Sequence, residues 1–389
     1  MEHMFKIISL LLITIRISYA RTQTPFAHTK GLANYYSIST TISDTCFLYK
    51  RSVKCSGSNS NGSFGNGSST GLYTTPINIS ILNVSYIAKS DGYFRCIIKE
   101  NKSAFCYGQG DRGQLGNGSS TNQSSPVAVI NGSSGVTSIK LGLYNGYMIV
   151  NGSLYSWGWN GNGELGNGTS SASSFPTPSL VSGMGSSVSL VFAGHYNACA
   201  VQSGALKCWG YFTNGRGDGT TTPFVNTSPY SIPLLTNVVD GATNYSNTCV
   251  VTSAGEVKCF GKGAGGANGN GISSDISTPY TVISSGATKI SMGAVTLGNN
   301  TVCAVVDGGV KCWGYGANYA IGNNSTANQF SPVTTIPASS GVIDIVGSNG
   351  SFCALFSNKS IKCWGSNVNG QLGLGHSSNV TVPTTVTLL

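Results

Sequence analysis

The chain has 389 residues, a formal net charge of +9 and only 8% charged side chains, against roughly 25% in ordinary globular domains. Lysines and arginines are scattered singly, without the basic clusters of nucleic-acid-binding surfaces, which argues against a nucleic-acid partner. Glycine-rich turns and many β-branched residues predict short strands rather than helices.

The first twenty residues have the pattern of a secretory signal. Lys6 gives a positive start, Ile7 to Ile15 is apolar, and Ser18-Tyr19-Ala20 resembles a cleavage site. The apolar run is too short to span a bilayer, and no later stretch is long enough either. We therefore predict a signal peptide over residues 1–20, an N-terminal arm over 21–35 and a propeller over 36–389, in a secreted, extracellular protein without a membrane span.

A β-hairpin recurs through the rest of the chain. In one copy Cys303 to Val306 predicts a strand, Asp307-Gly308-Gly309 a tight turn and Val310 to Trp313 the return strand. Each copy ends in an aromatic-glycine pair or its degenerate form: Ser56-Gly57, Tyr107-Gly108, Trp157-Gly158, Trp209-Gly210, Phe260-Gly261, Trp313-Gly314 and Trp364-Gly365. The steps between these glycines are 51, 50, 52, 51, 53 and 51 residues, a period typical of propellers, solenoids or arrays.

Two further strands complete each repeat. A glycine-rich loop leads to a proline that we expect to open an edge strand, and these prolines are Pro76, Pro126, Pro178, Pro229, Pro279, Pro332 and Pro383. An apolar strand ending in glycine follows, as in Val136 to Gly142. Four strands in each of seven repeats predict an all-β, seven-bladed propeller.

The repeat resembles that of the regulator of chromosome condensation family. The resemblance rests on the Trp-Gly pair, on the Gly-Gln-Leu-Gly loop seen at Gly113 to Gly116, and on the following proline. It covers roughly residues 36 to 389 and implies the propeller fold, whereas members of the family differ widely in function. The signal segment, hairpin cysteines and sequons depart from the nuclear members, which argues against nucleotide exchange on chromatin.

All twelve cysteines fall in pairs across the predicted hairpins, 9 or 10 residues apart. Cross-strand neighbours lie close to disulfide range, so we predict a disulfide within each of six blades. Zinc is the rival interpretation, but it favours closer spacing and four ligands together. The third repeat has Tyr147 and Ser156 in place of the two cysteines. Because the pair is lost together and leaves no odd cysteine, we predict that each disulfide bridges its own hairpin. The predicted pairs are Cys46 with Cys55, Cys96 with Cys106, Cys199 with Cys208, Cys249 with Cys259, Cys303 with Cys312, and Cys353 with Cys363.

Eighteen N-x-S/T sequons agree with export. Those chosen as glycosylation candidates lie in glycine- and serine-rich segments: Asn61, Asn66, Asn117, Asn131, Asn151 and Asn167. In an Asn-rich chain many sequons arise by chance, so we expect only part of the set to carry a glycan.

Residues for catalysis are sparse. After signal cleavage only three histidines remain, and no recognisable nucleophile, paired carboxylates or metal-ligand motif is present. The acids Asp111, Glu164, Asp218, Asp275, Asp307 and Asp344 fall at different places in their repeats, which predicts no carboxylate ring. We therefore expect no enzymatic activity, no cofactor and no metal.

Contact candidates are few. The repeated tryptophans are expected in the core between blades, with a sugar-binding surface as the alternative, whereas Trp159 falls outside the repeat pattern and is the better contact candidate. A lysine precedes a hairpin cysteine at Lys54, Lys207, Lys258, Lys311 and Lys362. Either these lysines form a partial anion-binding ring or, as we favour, the aliphatic part of each side chain covers an aromatic neighbour while its ammonium group stays in solvent. Arg216-Gly217-Asp218 spells an adhesion tripeptide, which we attribute to chance.

Two classes of function remain open from the sequence, and the dense sequons and low charge favour the first. The first is a structural or self-assembling coat, matrix or filament subunit, and the second is a recognition module or inhibitor that binds a protein or glycan through one propeller face. A surplus proline-containing segment near Pro25 adds a second question. It either closes the ring in the last blade or leaves residues 21–34 as an arm, free or paired with a neighbouring molecule.

Overall fold

The computed structural model describes residues 36–245, 247–296 and 299–388. Within these ranges the chain forms 28 strands, β1 to β28, and three short 3-10 turns at Ser60–Gly62, Ala264–Gly266 and Ala317–Tyr319. The predicted signal segment and N-terminal arm lie outside the described residues. None of the described helical turns is long or apolar enough to cross a membrane.

Each blade takes four consecutive strands. Blades one to three comprise Tyr36–Thr40, Asp44–Tyr49, Ser52–Ser58 and Leu72–Ile79; Val84–Ile87, Phe94–Lys99, Ala104–Gly108 and Gln123–Ala128; and Val136–Leu141, Asn145–Val150, Ser153–Asn160 and Ser171–Leu180. Blades four and five comprise Val188–Ala193, Asn197–Gln202, Ala205–Phe212 and Phe224–Thr236; and Val238–Thr243, Asn247–Thr252, Val257–Gly261 and Ile276–Ile283. Blades six and seven comprise Ala287–Thr296, Asn299–Val306, Gly309–Gly314 and Gln329–Ile336; and Val342–Ser348, Ser351–Phe356, Ile361–Gly365 and Val380–Thr385.

The seven sheets form the predicted seven-bladed propeller. Every sheet is antiparallel, with its strands hydrogen-bonded in chain order. The first strand of each blade is innermost, the second and third form the predicted hairpin, and the fourth is outermost. First strands of successive blades contact one another, except that β9 of blade three contacts β6 of blade two, and β25 of blade seven contacts β1 of blade one. The ring therefore runs in chain order around a central axis.

The hairpin disulfides are confirmed in six blades. In each, the two cysteines face each other across the second and third strands, with Cα–Cα distances of 4.0 to 4.1 Å. All twelve are fully buried, and within the described residues no cysteine is free. The register pairs Cys46 with Cys55, Cys96 with Cys106, Cys199 with Cys208, Cys249 with Cys259, Cys303 with Cys312, and Cys353 with Cys363. Every predicted pairing is therefore found, and each bridge stays within its own blade.

Blade three replaces the covalent staple with hydrogen bonds. Tyr147 and Ser156 are paired in the same register that the cysteines occupy elsewhere. Their hydroxyls donate to Glu164 O and Leu165 O, each at 2.7 Å. The hairpin is thus tied to the loop that follows it.

The tryptophans of the aromatic-glycine pairs lie in the core between blades, as expected. Trp157, Trp209, Trp313 and Trp364 are fully buried. Each indole Nε1 donates to a loop carbonyl of the preceding blade, for example Trp157 to Gln114 O at 2.8 Å and Trp364 to Ala320 O at 2.9 Å. A buried indole requires such a partner, so each of these hydrogen bonds joins two neighbouring blades. Because the four rings are buried, they do not form a sugar-binding surface.

The prolines do not open the outermost strands, as the sequence predicted, but lie inside them. In blade two Cys106 pairs with Val127 and Gly108 with Gln123, which leaves three residues, ending in Pro126, opposite Tyr107. The same interruption occurs in every blade. A bulge leaves backbone groups out of the ladder, so the missing proline N–H costs nothing there.

The bulges also join the blades and close the ring. A loop amide of one blade donates to a bulge carbonyl of the next, as from Gly118 N to Pro176 O at 2.9 Å. The last such bond runs from Gly375 N in blade seven to Thr74 O in blade one, at 2.8 Å. Ser56 Oγ reinforces this junction by donating to Gln371 O at 3.0 Å. Within the described residues blade seven therefore uses the C-terminal strand β28 as its own fourth strand.

Candidate functional site

One face of the propeller gathers aromatic side chains. We call the upper face the end of the blades that carries the turns between first and second strands and the loops between third and fourth strands. Because the strands alternate in direction, both kinds of connection emerge at that end. Tyr144, Tyr196 and Tyr245 lie in these turns in blades three, four and five, and all three are half-buried.

Three tyrosines of blades four and five meet edge to face. The ring centroids of Tyr196 and Tyr245 are 5.3 Å apart, and those of Tyr211 and Tyr245 are 6.1 Å apart. Burial, followed by the nearby phenols Tyr144 and Tyr245, raises the pKa of Tyr196. This phenol therefore remains a neutral hydrogen-bonding group at physiological pH, and the rings present apolar edges and faces.

Arg112 and Trp159 extend this cluster into blades two and three. The guanidinium carbon of Arg112 lies 4.4 Å from the centre of the Trp159 ring and 5.9 Å from that of Tyr144. Arg112 is exposed and Trp159 is half-buried. We define the aromatic face as Arg112, Tyr144, Trp159, Tyr196, Tyr211 and Tyr245.

The contact candidate Trp159 thus lies in this cluster, but it does not break the repeat pattern. Tyr211 and Tyr315 occupy the same place, directly after the Trp-Gly pair of blades four and six. The tyrosines of the turns were not predicted from the sequence. Tyr93, Tyr144 and Tyr196 recur 51 and 52 residues apart, and that spacing was the available signal.

The predicted lysines lie on the third strands, one in each of five blades, and the contacts described for three of them are local. Lys207 donates to Gln202 at 2.9 Å, Lys258 pairs with Glu256 at 3.3 Å, and the Lys362 ammonium lies 5.6 Å from the Phe356 ring centre. Lys54 is buried and Lys311 is half-buried. These contacts favour local packing over a shared anion site.

The sequon asparagines divide between the two faces. Asn61, Asn66, Asn117 and Asn167 lie in upper-face loops, where Asn66 is exposed and the others are half-buried. Asn131 and Asn151 are exposed on the opposite, lower face. Asn244, the sequon asparagine beside Tyr245, is fully buried and its Oδ1 accepts from the Tyr245 amide at 2.7 Å. A glycan on Asn244 would therefore require the turn that holds Tyr245 to open.

The adhesion tripeptide is folded away from solvent. The Arg216 guanidinium lies 4.5 Å from the Phe224 ring and 4.7 Å from the Tyr230 ring, and it pairs with Asp218. Both charged side chains are mostly buried, 21% and 16% exposed. Arg216 thus packs its own loop, in agreement with the interpretation of the tripeptide as a chance match.

Charged residues also surround the axis. Lys89 Nζ of blade two donates to Met292 O of blade six at 2.7 Å, which crosses the centre of the ring, and lies 3.4 Å from Asp91. Ser348 of blade seven donates to Asp91 at 3.0 Å. The described residues contain no group of three or more metal-ligating side chains.

Deeper along the innermost strands, Asp240, Lys289 and Asp344 share one repeat position. Burial raises the pKa of the Asp344 carboxyl, and the Lys289 cation opposes that shift. Asp240 is therefore an acidic counterpart of Asp344, and it is not one of the six acids that were expected to fall at different places in their repeats.

Fold and repeat together define the class of protein. The pattern of the regulator of chromosome condensation (RCC1) repeat matches residues 103–145, 151–201 and 363–389. These segments fall in blades two, three, four and seven, and the remaining blades have the same four-stranded structure. These three segments match the RCC1 repeat, and the described chain has a seven-bladed propeller fold.

Solved structures agree on the fold. Yeast RCC1 (Prp20), crystallised with Kap60, has a TM-score of 0.70 at 14% identity, covering 93% of this chain and 90% of that one. This likeness concerns the fold alone.

Curated relatives match only in part. The ultraviolet-B receptor UVR8 of Arabidopsis thaliana is 29% identical over 51% of this chain, and the probable E3 ubiquitin-protein ligase HERC4 of Homo sapiens is 27% identical over 50%. The alignments span 46% of UVR8 and 19% of HERC4. The chain thus matches less than half the length of either relative.

Proposed function

We propose that this protein is a non-enzymatic, exported recognition module that binds a protein or glycan partner through the aromatic face. The observation that carries the proposal is the cluster of half-buried aromatic side chains contributed by adjacent blades at one end of the propeller. Aromatic residues and arginine are enriched at binding surfaces because they offer large contact area at low conformational cost. Yeast RCC1 (Prp20) has been crystallised bound to Kap60, and Prp20p has binding properties toward Gsp1p and histones. Both support protein recognition by propellers of this class.

Export is supported by the covalent structure. Six fully buried disulfides suit an oxidising compartment, because cytosolic reductants keep most thiols reduced. Exposed sequon asparagines such as Asn131 and Asn151 would hold a glycan in solvent. The test is glycopeptide mapping of protein secreted by its native source, where a uniformly unmodified, cytosolic protein would contradict this part of the proposal.

The binding test uses the secreted propeller against arrays of glycans and extracellular proteins. We expect the double variant with Tyr196→Ser and Tyr245→Ser to lose at least tenfold in affinity for whatever ligand the parent protein retains. The matched control is Leu82→Ser, because Leu82 is 74% exposed on the lower face. A ligand that binds both variants equally well would place recognition elsewhere.

Self-assembly into a coat, matrix or filament is the second candidate. It is favoured by the outermost strands, which bear exposed apolar side chains such as Tyr280, Phe330 and Val382. An open strand edge is a template for pairing with another chain. Native mass and negative-stain morphology decide this point, since polymers would favour assembly and a monomeric particle would favour recognition.

A further inference from the structure

Arg112 is the one charged residue of the aromatic face as defined above. Its backbone amide is bonded to Gln114 Oε1 at 2.7 Å, but its guanidinium makes no hydrogen bond or ion pair within the described residues. The ring contacts with Trp159 and Tyr144 hold the guanidinium against the surface. Five N–H donors are therefore positioned at the face without a protein acceptor.

Within the described residues Arg112 has no carboxylate partner in an ion pair. The carboxylate of the adjacent Asp111 accepts from Gln114 Nε2 at 3.3 Å. Glu164 is fully buried and its carboxylate accepts from Asn162 N and Nδ2, at 2.7 and 2.9 Å. The ion pairs found in the described part of the chain involve other residues. The Arg112 guanidinium can therefore pair with an anionic group of a ligand.

A guanidinium held in place by stacking on an aromatic ring is preorganised to bind a carboxylate. Its planar fork matches a carboxylate through two parallel hydrogen bonds, and stacking reduces the side-chain entropy lost when those bonds form. The neighbouring tyrosines supply flat rings and hydroxyls, which suit the apolar C–H face and the hydroxyl groups of a sugar ring. A peptide would instead anchor a side chain in a desolvated pocket, whereas the cluster consists of half-buried rings.

We infer that the ligand of the aromatic face is an acidic oligosaccharide, whose carboxylate pairs with Arg112 and whose sugar rings contact Tyr196 and Tyr245. This inference rests on the proposed recognition function and deepens it. It names the chemical class of the ligand and assigns Arg112 the role of selecting charged over neutral sugars.

The test compares matched acidic and neutral probes. Dissociation constants are measured for sialyllactose against lactose, and for a hexuronate tetramer against a neutral hexose tetramer. At least one acidic probe is expected to bind ten or more times tighter than its neutral partner. The selectivity is expected to vanish in Arg112→Gln and to weaken in Arg112→Lys, which keeps the charge but loses the planar fork. Arg112 is exposed, so both variants should fold.

The control is Arg51→Gln, which removes an arginine that is 46% exposed and paired with Glu100 on a lower-face hairpin turn. It is expected to bind like the parent. Equal binding of acidic and neutral probes, absence of binding by every probe, or preference for a glutamate-rich peptide would each overturn the inference. If a neutral glycan or a protein binds through Tyr196 and Tyr245 regardless of Arg112, the inference fails while the proposed function stands.

Discussion

Arg95 of blade two joins blade one through a buried ion pair with Asp44. Arg95 and Asp44 are fully buried with 2.5 Å between Nη2 and Oδ1. Arg95 Nε also donates to Ser39 Oγ at 2.8 Å and Nη1 to Ser63 O at 2.7 Å. A buried charge is tolerated only when its hydrogen bonds are satisfied in this way.

Asp44→Ala should therefore lower the free energy of unfolding by about 3–5 kcal/mol, because it leaves the Arg95 cation buried without its partner. Urea denaturation followed by tryptophan fluorescence measures the change. The control is Glu100→Ala, which breaks the exposed pair with Arg51 and should cost at most about 1 kcal/mol. Equal effects of the two substitutions would contradict the account.

Glu164 occupies a loop position that holds glutamine in blades two and seven, Gln114 and Gln371. Burial raises the pKa of the Glu164 carboxyl, so the folded state holds its proton to higher pH than the unfolded state does. Its contribution to stability is consequently largest at low pH and is lost as pH rises through the unfolded and then the folded pKa.

Glu164→Gln should remove this loss, so the variant should gain stability over the parent as pH rises from about 4 to about 7. The measurement is the urea midpoint of both proteins across that range. Because all other titrating groups are shared, the difference between the two curves isolates Glu164. A constant difference would show that ionisation of this carboxyl does not matter to stability.

At the scale of the element, each hairpin is stabilised either by a disulfide or by side-chain hydrogen bonds. Six hairpins use a disulfide. Blade three uses Tyr147 and Ser156, whose hydroxyls bind the following loop. The pairing register is the same in both cases, so the strand geometry does not depend on the covalent bond.

The double variant with Tyr147→Cys and Ser156→Cys should therefore form a seventh disulfide on secretion, detectable as an absence of free thiols and a bridged hairpin peptide. The new loop closure is worth about 2–3 kcal/mol, but loss of the buried phenol and its hydrogen bond costs about as much. We expect little net stabilisation. The single variant Tyr147→Cys should show one free thiol, and free thiols in the double variant would refute the shared register.

At the scale of the whole molecule, the ring closes through noncovalent junctions like those between its other blades. The bond from Gly375 to Thr74 repeats the contact made between successive blades. Near the axis Lys89, Asp91 and Ser348 link blades that are not neighbours in the ring. Each of the seven sheets has its four strands from residues 36 to 388.

A chain that starts at residue 36 behind an unrelated leader should consequently fold, with a melting temperature close to that of the full protein. Deleting residues 376–389 should instead remove β28, expose the edge of blade seven and produce aggregated or degraded material. Circular dichroism and size-exclusion chromatography check both outcomes. Loss of folding in the first variant would show that the N-terminal residues complete the ring.

Much of the architecture could be read from local sequence. A 51-residue period, glycines at the hairpin turns and paired cysteines 9 or 10 residues apart depend on neighbours close in the chain, so they predicted the blades and the staples. The bulge around each proline was missed because its register is set by pairing with a distant part of the repeat. Signal and sequon patterns predict export through short motifs alone.

The candidate site depended on tertiary structure. Arg112, Trp159 and Tyr245 lie in three different blades and are 47 to 133 residues apart in the chain; only ring closure determines which blades are neighbours and which turns share a face. The Arg95–Asp44 pair and the Lys89 contact across the axis arise in the same way. The periodicity of the sequence determines that each repeat folds as a four-stranded blade. Which side chains meet between blades depends on how the blades pack, and the sequence alone does not reveal that packing.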